Sequence, residues 1–493
     1  MKKLIIIAGC LAGILFLSSC NDFLTLKPRD EKVVQSVEDY RDILASYMHH
    51  LKTPNRSQKI VMGVGAYAIP YFDVSKYFCV YSGELNMSKK ASSVFDSKKD
   101  EYTLSAKALL SWRNTDPYAW NQYFMFLGPI NLIIDGVRTA EGANEDMRNY
   151  VLGEALVWRA FAYYKLLQYY VPYKDDQYGL PIYLKPYGNI ENAMPKRSTQ
   201  TETFAQILGD CKEAMKLLDV TASNSWNCAW RSDFLNAMMA SIYTWKAMSA
   251  AAEDTDWENA ELCATEAMRN RSLSNSSDIL RQMFDCSKNM VEGDMENDEF
   301  YFRIMDGYNN EICFFDESYY GVRMEQLVVS QYYSLYKDND IRKKVYFTAD
   351  KKSCDKYNMN NDDEGGCIIP FRLAEMYLIK AEALLRQGDV GQAREVLKEF
   401  DEARYVGEVN LPTTSDALLQ EILNERTREF YLENDFRWMD MKRLGIEMTR
   451  SIGGETYVLE SNDFRYCLPI PARELELNKN MVQTPGWENI MIN

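Results

Sequence analysis

Histidine is almost missing from this chain: His49 and His50 are the two it has in 493 residues. Zinc centres and histidine-based triads therefore have next to nothing to work with. None of the 11 cysteines forms a Cys-x-x-Cys pair, which excludes the usual zinc-ribbon and dithiol redox spacings. Gly-x-Ser-x-Gly and the Walker loop are absent too, and no cofactor is expected. Positive charge is in short supply: 56 Lys+Arg stand against 72 Asp+Glu, a net −16. A surface this acidic repels phosphate backbones and anionic headgroups, so no nucleic-acid partner is expected. Beyond the start of the chain, no apolar run reaches the roughly 20 residues that a membrane-crossing helix needs.

The start itself is distinctive. Met1, Lys2 and Lys3 precede an apolar segment from Leu4 to Leu17, which ends in Leu17-Ser18-Ser19-Cys20. A charged start, a short apolar middle and small residues at the end describe a secretory signal peptide. The ending resembles the bacterial lipobox, in which the cysteine is lipidated and becomes the first mature residue. The expectation is a leader over residues 1–19 and a lipid anchor at Cys20. The body would then lie in water.

Nine cysteines follow Cys20, an odd number spread over a long chain, and they do not read as a disulfide framework. Most are expected as small buried apolar groups. Cys354 and Cys367 flank the polar loop D-K-Y-N-M-N-N-D-D-E-G-G, and a bridge across it is one alternative to two free thiols. That loop lacks the EF-hand spacing and its glycine at the sixth position, so the sequence gives calcium there no support, though its carboxylates leave it open.

Much of the chain reads as helix. In G-E-A-L-V-W-R-A-F-A-Y-Y-K-L-L-Q-Y-Y, the residues Ala155, Trp158, Ala162, Leu166 and Tyr169 recur at three- and four-residue steps, one helical face. The pattern stops at Val171-Pro172, because proline disfavours helical geometry in the residue before it. Further on, Tyr377, Ala381, Leu384, Gly388, Ala393 and Leu397 fall at the offsets of a tetratricopeptide hairpin. Small alanines let two antiparallel helices approach, and Gly388-Asp389 supplies the turn. Asp256-Trp257 with Ala260, Ala264 and Ala267 repeats the logic. Ala260 and Ala393 are 133 positions apart, so these are helical hairpins with long insertions, not a tandem array. Residues 271–370 are rich in Asn, Asp, Ser, Gly and aromatics, and predict loops with a few short strands.

These segments together resemble the SusD/RagB-like outer-membrane lipoproteins of Bacteroidetes. The resemblance rests on C-N-D-F-L-T-L-K-P after the lipobox, on Ala119 to Asp135, and on the G-E-A-L-V-W-R-A-F-A-Y-Y segment with G-L-P-I-Y-L after it. F-R-L-A-E-M-Y-L-I-K-A-E-A-L, then N-E-R-T-R-E-F-Y-L-E-N-D-F-R-W-M-D-M-K-R-L-G, carry it through the C-terminal half. The tail L-P-I-P-A-R-E-L-E-L-N-K-N-M-V-Q-T-P-G-W completes it, with Thr484 where asparagine is more usual. It implies an all-α, tetratricopeptide-like scaffold with long loop-rich insertions and a few short strands. An N-terminal helical region would span 20–270 and a C-terminal region 271–493, with an aromatic insertion at 287–370, as one unit. It further implies a lipid-anchored protein on the outer face of the outer membrane. There it would capture an oligosaccharide, or in some relatives a peptide, for a SusC-like TonB-dependent transporter.

Binding fits the residues better than catalysis does. A glycosidase needs two carboxylates facing each other across the substrate. Glu425, Glu429 and Glu433 lie closest together, but Arg426, Arg428 and Arg437 interleave with them at helical spacing. That alternation reads as a structural ion-pair network packed under Phe436 and Trp438, so no enzymatic activity is expected. A glycan binder needs flat aromatics for the apolar ring faces and polar groups for the hydroxyl rims. The stretch from Tyr301 to Tyr320 mixes both, and the loop L-L-S-W-R-N-T-D-P-Y does so on a smaller scale. The candidate contacts are Trp112, Tyr301 and Tyr308 for stacking, with Arg113, Asn114, Asn309 and Asn310 reading hydroxyls. They come from composition and position, since the family motifs are scaffold motifs and fix no ligand contact.

Overall fold

The computed structural model describes residues 34–52, 78–84, 111–113, 118–142, 144–186, 194–217, 231–284, 297–301, 304–305, 330–349, 356, 367–368, 371–452 and 455–489. Among the described residues the first helices are α1 (Val37–Lys52), α2 (Tyr118–Val137), α3 (Glu145–Tyr170), α4 (Gln200–Leu217), α5 (Ser232–Lys246), α6 (Asp256–Met268) and α7 (Ser277–Phe284). The C-terminal part adds α8 (Leu373–Arg386), α9 (Val390–Glu402), α10 (Ser415–Glu429), α11 (Phe436–Leu444) and α12 (Ala472–Leu477). Single helical turns at 330–333 and 343–346 lie between α7 and α8. Strands are few. Ile304–Met305 (β1) pairs antiparallel with Cys367–Ile368 (β2), and Met448–Ile452 (β3) forms a hairpin with Glu455–Leu459 (β4). The all-α expectation with a few short strands holds. Cys354 lies outside the described residues, as does most of the 355–364 loop.

Helix α3 is the centre of the molecule. Asn144 caps it by accepting from the Met147 amide at 2.9 Å, and Glu145 and Asp146 complement the exposed amides of its first turn. It ends where Val171 turns extended ahead of Pro172. The sequence suggests one apolar face, but every residue from Tyr150 to Tyr170 is buried, so helices cover α3 all round. Several of its polar side chains are met inside. Arg159 clasps Asp210 of α4 with two bonds of 2.8 Å, Lys165 reaches Asp435 at 3.0 Å, and the Trp158 indole donates to Glu154 at 2.9 Å. Trp120, Trp158 and Trp438 are core residues, as their place in helical segments suggests.

Both hairpins form as their alanines require. Ala260, Ala264 and Ala267 of α6 and Ala393 of α9 are fully buried, which brings backbones together. Gly388 turns between α8 and α9 at φ +94°, a conformation costly for any residue with a Cβ. Asp389 then caps α9 by accepting from the Gln392 amide. At the other hairpin, Lys246 and Asp256 pair at 2.9 Å across the α5–α6 turn, both buried. Although separated in sequence, the hairpins join in space: α6 packs on α8, so α5, α6, α8 and α9 form one stack, continued by α3 and α4. Cys211 and Cys467 are buried free thiols, Cys263 is half-buried, and buried Cys79 directs its thiol to the Asn434 carbonyl at 3.7 Å.

Candidate functional site

The glutamates of E-R-T-R-E-F-Y-L-E build the largest polar assembly among the described residues. Helix α10 presents Glu425 and Glu429 on successive turns, and Glu433 follows after the helix ends. Glu429 accepts from three guanidinium groups at once: Arg342 at 3.0 Å, Arg372 at 2.9 Å and Arg404 at 2.9 and 3.0 Å. Glu425 takes Arg342 at 2.8 Å and Arg428 at 2.5 Å, and Glu433 takes Arg372 at 2.8 Å and Lys356. Glu299 and Asp340 close the network on Arg372, Arg404 and Arg342. Five buried carboxylates (Glu299, Asp340, Glu425, Glu429, Glu433) thus face five cations (Arg342, Lys356, Arg372, Arg404, Arg428), and half-buried Glu421 also reaches Arg428 at 2.8 Å.

Burial alone would raise the Glu425 carboxyl, but Arg342 and Arg428 outweigh it and hold it at about 2. Glu429 is likewise kept well below the usual carboxylate range by Arg404, Arg372 and Arg342 against burial. Carboxylates so engaged have no proton to give and no free lone pair to accept one, so they do not form a hydrolytic pair. The network is structural, but its arginines are not mainly the interleaved ones: Arg428 joins it at Glu425, while Arg426 bonds Asp440 and Arg437 the Thr427 hydroxyl. Arg342, Lys356, Arg372 and Arg404 come from distant segments, and no local pattern announces them.

A polar cavity of about 40 Å³ opens between α3, α5, α8 and the start of α11. Glu375 of α8, Gln168 of α3, Trp245 of α5 and Arg426 of α10 each present a polar atom with no hydrogen-bond partner among the described residues. Donors and acceptors are mixed there, which suits water at ~10–15 Å³ per molecule. Sites for drug-sized ligands start near 300 Å³, so an oligosaccharide does not fit. Burial raises the Glu375 carboxyl to about 7 despite Arg426 and Lys165 nearby.

The structure corrects two of the proposed stacking residues. Trp112 is 2% exposed, with its indole N–H donating to the Tyr81 carbonyl at 3.0 Å. Its ring lies under Arg450 at 4.2 Å and beside Arg465 at 5.7 Å, so no face is open to a sugar. The cause is local: Trp112 adopts φ 57°, a left-handed conformation within the turn at 111–112, and the indole points inward. Tyr301 is 3% exposed, donates to the Ala267 carbonyl at 2.9 Å, and is covered by Arg271 at 4.4 Å. Arg113 is exposed. Asn114, Tyr308, Asn309, Asn310 and Cys20 lie outside the described residues. Among the described residues, no cluster suited to a metal ion occurs and no helix is long and apolar enough to cross a membrane.

Sequence reasoning passed over the β3–β4 hairpin that holds Trp112 down. The signal was present: M-T-R-S-I and E-T-Y-V-L flank Gly453-Gly454, two short alternating runs about a glycine turn.

Comparison with known proteins places this architecture. The model described as "SusD family" matches residues 300–487, and that described as "Starch-binding associating with outer membrane" matches residues 22–243. The chain belongs to the SusD family. Starch-binding protein SusD of Bacteroides thetaiotaomicron is 34% identical over 125 residues, which is 24% of this chain and 21% of that protein. SusD-like protein P38 of Formosa agariphila is 35% identical over 111 residues, 20% of this chain and 22% of that one. These alignments therefore span about a fifth of each curated SusD relative. Solved SusD structures match much further along the chain. A SusD-like carbohydrate binding protein from Bacteroides vulgatus has a TM-score of 0.65 at 18% identity, covering 91% of this chain and 98% of that one. A SusD superfamily protein from Bacteroides fragilis has a TM-score of 0.66 at 18% identity, covering 91% and 100%. At that identity the likeness is one of fold, and it extends to the few-stranded, mostly helical SusD architecture seen here.

Proposed function

We propose that this protein is a cell-surface lipoprotein that binds an oligosaccharide and hands it to a SusC-like TonB-dependent transporter in the outer membrane. The observation that supports it most is the pairing of the two family matches. Together they run through most of the chain, and the N-terminal one carries a starch-binding, outer-membrane description. The inward commitment of Glu425, Glu429 and Glu433 favours binding over hydrolysis. A peptide ligand is the competing outcome. Binding of the mature protein to a panel of neutral and acidic oligosaccharides and peptides, read by calorimetry, tests the reading. A glycan should bind and be recovered intact after prolonged incubation. Binding of peptides alone, or release of cleaved sugar, would refute it.

The anchor has its own test. Cys20→Ala is expected to leave the precursor without lipid and to move the protein from the membrane fraction into the soluble one. Retention of the variant in membranes, resistant to extraction like the wild type, contradicts the lipobox assignment. The partner is tested by gentle detergent extraction, from which the lipoprotein should emerge together with a large β-barrel protein.

A further inference from the structure

Helix α2 carries one charged residue in 20, Asp135, on a chain of which 26% is charged. Its inner side is core: Tyr123, Leu127, Ile130, Ile133 and Val137 are buried. Asn121, Met125, Pro129, Leu132 and Gly136 recur at three- and four-residue steps on the opposite side and form one stripe. An outward stripe ordinarily carries charged and polar residues. Here Met125 is 59% and Leu132 38% exposed.

Two segments border this stripe. Helix α1 closes one side of it: Tyr40 packs on Gly136 so tightly that a Cβ there would overlap its hydroxyl, and Tyr47 meets Phe126 edge-on at 6.3 Å. On the other side the Tyr183 carbonyl accepts from Asn131 at 2.8 Å, and Lys185 pairs with Asp135 at 2.5 Å, which neutralises the one charge. Leu184, between those two attachments, is 39% exposed and lies at the rim. The Tyr163 hydroxyl of α3 bonds both the amide and the carbonyl of Tyr183, at 2.7 and 2.8 Å, so the rim is fixed in advance. Leu262, Ile279 and Val406 are exposed too, but singly and on separate elements, which is ordinary for a protein surface. A bounded, uncharged, apolar face is not.

The entry of the chain points to what covers it. Glu141, just beyond α2, donates to the Gln35 carbonyl and accepts from the Val37 amide, both at 3.1 Å. The segment leading into α1 is thereby clamped to the end of α2, in line with the stripe at Gly136. Gln35 follows Cys20 by 15 positions, a reach of about 50 Å at full extension. A compact chain of this length is about 60 Å across. With Cys20 in the bilayer, this end of α2 stays within that reach of the membrane, and the opposite side of the body points away. Lipid headgroups are a poor match, because Lys185 is the one cation at the stripe and it is already paired. The cores of protein interfaces, by contrast, are depleted in charge and enriched in methionine.

We propose that the stripe of Met125, Pro129 and Leu132, with Leu184 at its rim, is the face on which extracellular loops of the SusC-like transporter dock. This rests on the surface-lipoprotein reading above. Pro129 and Leu132 offer a rigid apolar surface, and unbranched Met125 adapts to the partner.

The experiment extracts the full-length lipoprotein in mild detergent from the cells that make it and identifies the accompanying TonB-dependent barrel by peptide mass. Met125→Lys with Leu132→Lys should lower recovery of the barrel at least tenfold, because two unmatched charges would enter a desolvated contact. Membrane retention, melting temperature and glycan binding should stay as in the wild type. Leu262→Lys with Val406→Lys, equally exposed on other elements, should leave recovery unchanged. If the first pair melts early, Met125→Gln with Leu132→Gln must show the same loss. Full recovery of the barrel with the substituted stripe overturns the docking face and leaves the transporter reading intact. Absence of the barrel from the wild-type extract overturns both. A wild-type dimer that the Lys pair dissolves, or lipid-free protein that binds phosphatidylethanolamine vesicles through this stripe, assigns the face to self-contact or to lipid and overturns the proposal.

Discussion

Replacing Glu429 by alanine is expected to cost about 3–5 kcal/mol of stability, the usual penalty for breaking a buried ion pair from one side. Three guanidinium groups converge on this one carboxylate in the absence of solvent. Its removal leaves Arg342, Arg372 and Arg404 without the carboxylate they share in the core. The same truncation at an exposed pair should be nearly silent. Asp42→Ala, which breaks the surface contact with Arg41, is expected to change stability by less than ~1 kcal/mol. Urea denaturation of the two variants against wild type measures the contrast. A Glu429→Ala loss no larger than that of Asp42→Ala would mean that the network does not hold this part of the fold.

The second large effect is an inverted pH response at neutrality. Burial raises Glu84 to about 7, even though the Leu432 amide and the Ser82 hydroxyl donate to it. Glu375 is raised to about 7 by burial, and Asp401 to about 8 by burial and then by Glu425. Each group binds its proton more tightly folded than unfolded. Its contribution is therefore full below the ordinary carboxylate range, near 4, and is lost as pH rises through 7 to 8. Every tenfold gain in proton affinity on folding is worth about 1.4 kcal/mol, so the three together contribute several kcal/mol. Glu425 and Asp440 behave oppositely: against burial, their arginine partners hold both at about 2, so their contribution disappears as pH falls below about 4. The melting temperature should peak near pH 5 and decline towards pH 8.5. Glu375→Gln should flatten the neutral limb, because a permanently neutral amide has no proton to lose. A melting temperature that rises steadily from pH 5 to 8.5 would refute this.

The scaffold was legible wherever a short repeat carried it. Alanines at turn spacing, Gly388 and the Val171-Pro172 stop each encode a local event, and each helix forms where that event requires. The Glu/Arg alternation of α10 was legible for the same reason. Its partners were not: Arg342, Arg372 and Arg404 reach Glu429 from three separate segments, and such meetings leave no local pattern. Trp112 misled because polar neighbours usually mark exposure. A left-handed turn reversed the indole, and an arginine from a strand over three hundred positions later closed on it. Tyr301 misled through its aromatic neighbourhood, although a tyrosine beside the hairpin of α5 and α6 needs only one carbonyl to be satisfied inside.

The joint between α6 and α8 separates two regimes of change. The chain leaves the stack at Met268 and returns at Leu373, so this interface closes a long loop and gives the fold a high contact order. During synthesis the alanine face of α6 must wait for roughly a hundred further residues before it meets its partner, which makes the joint a late event in folding. Once closed, it is little affected by the length of the loop. Doubling the length of such a segment costs only about 0.6 kcal/mol in closure entropy. The excursion can therefore vary in length at little cost, except where Glu299, Asp340, Arg342 and Lys356 return from it to the buried cluster around Glu429.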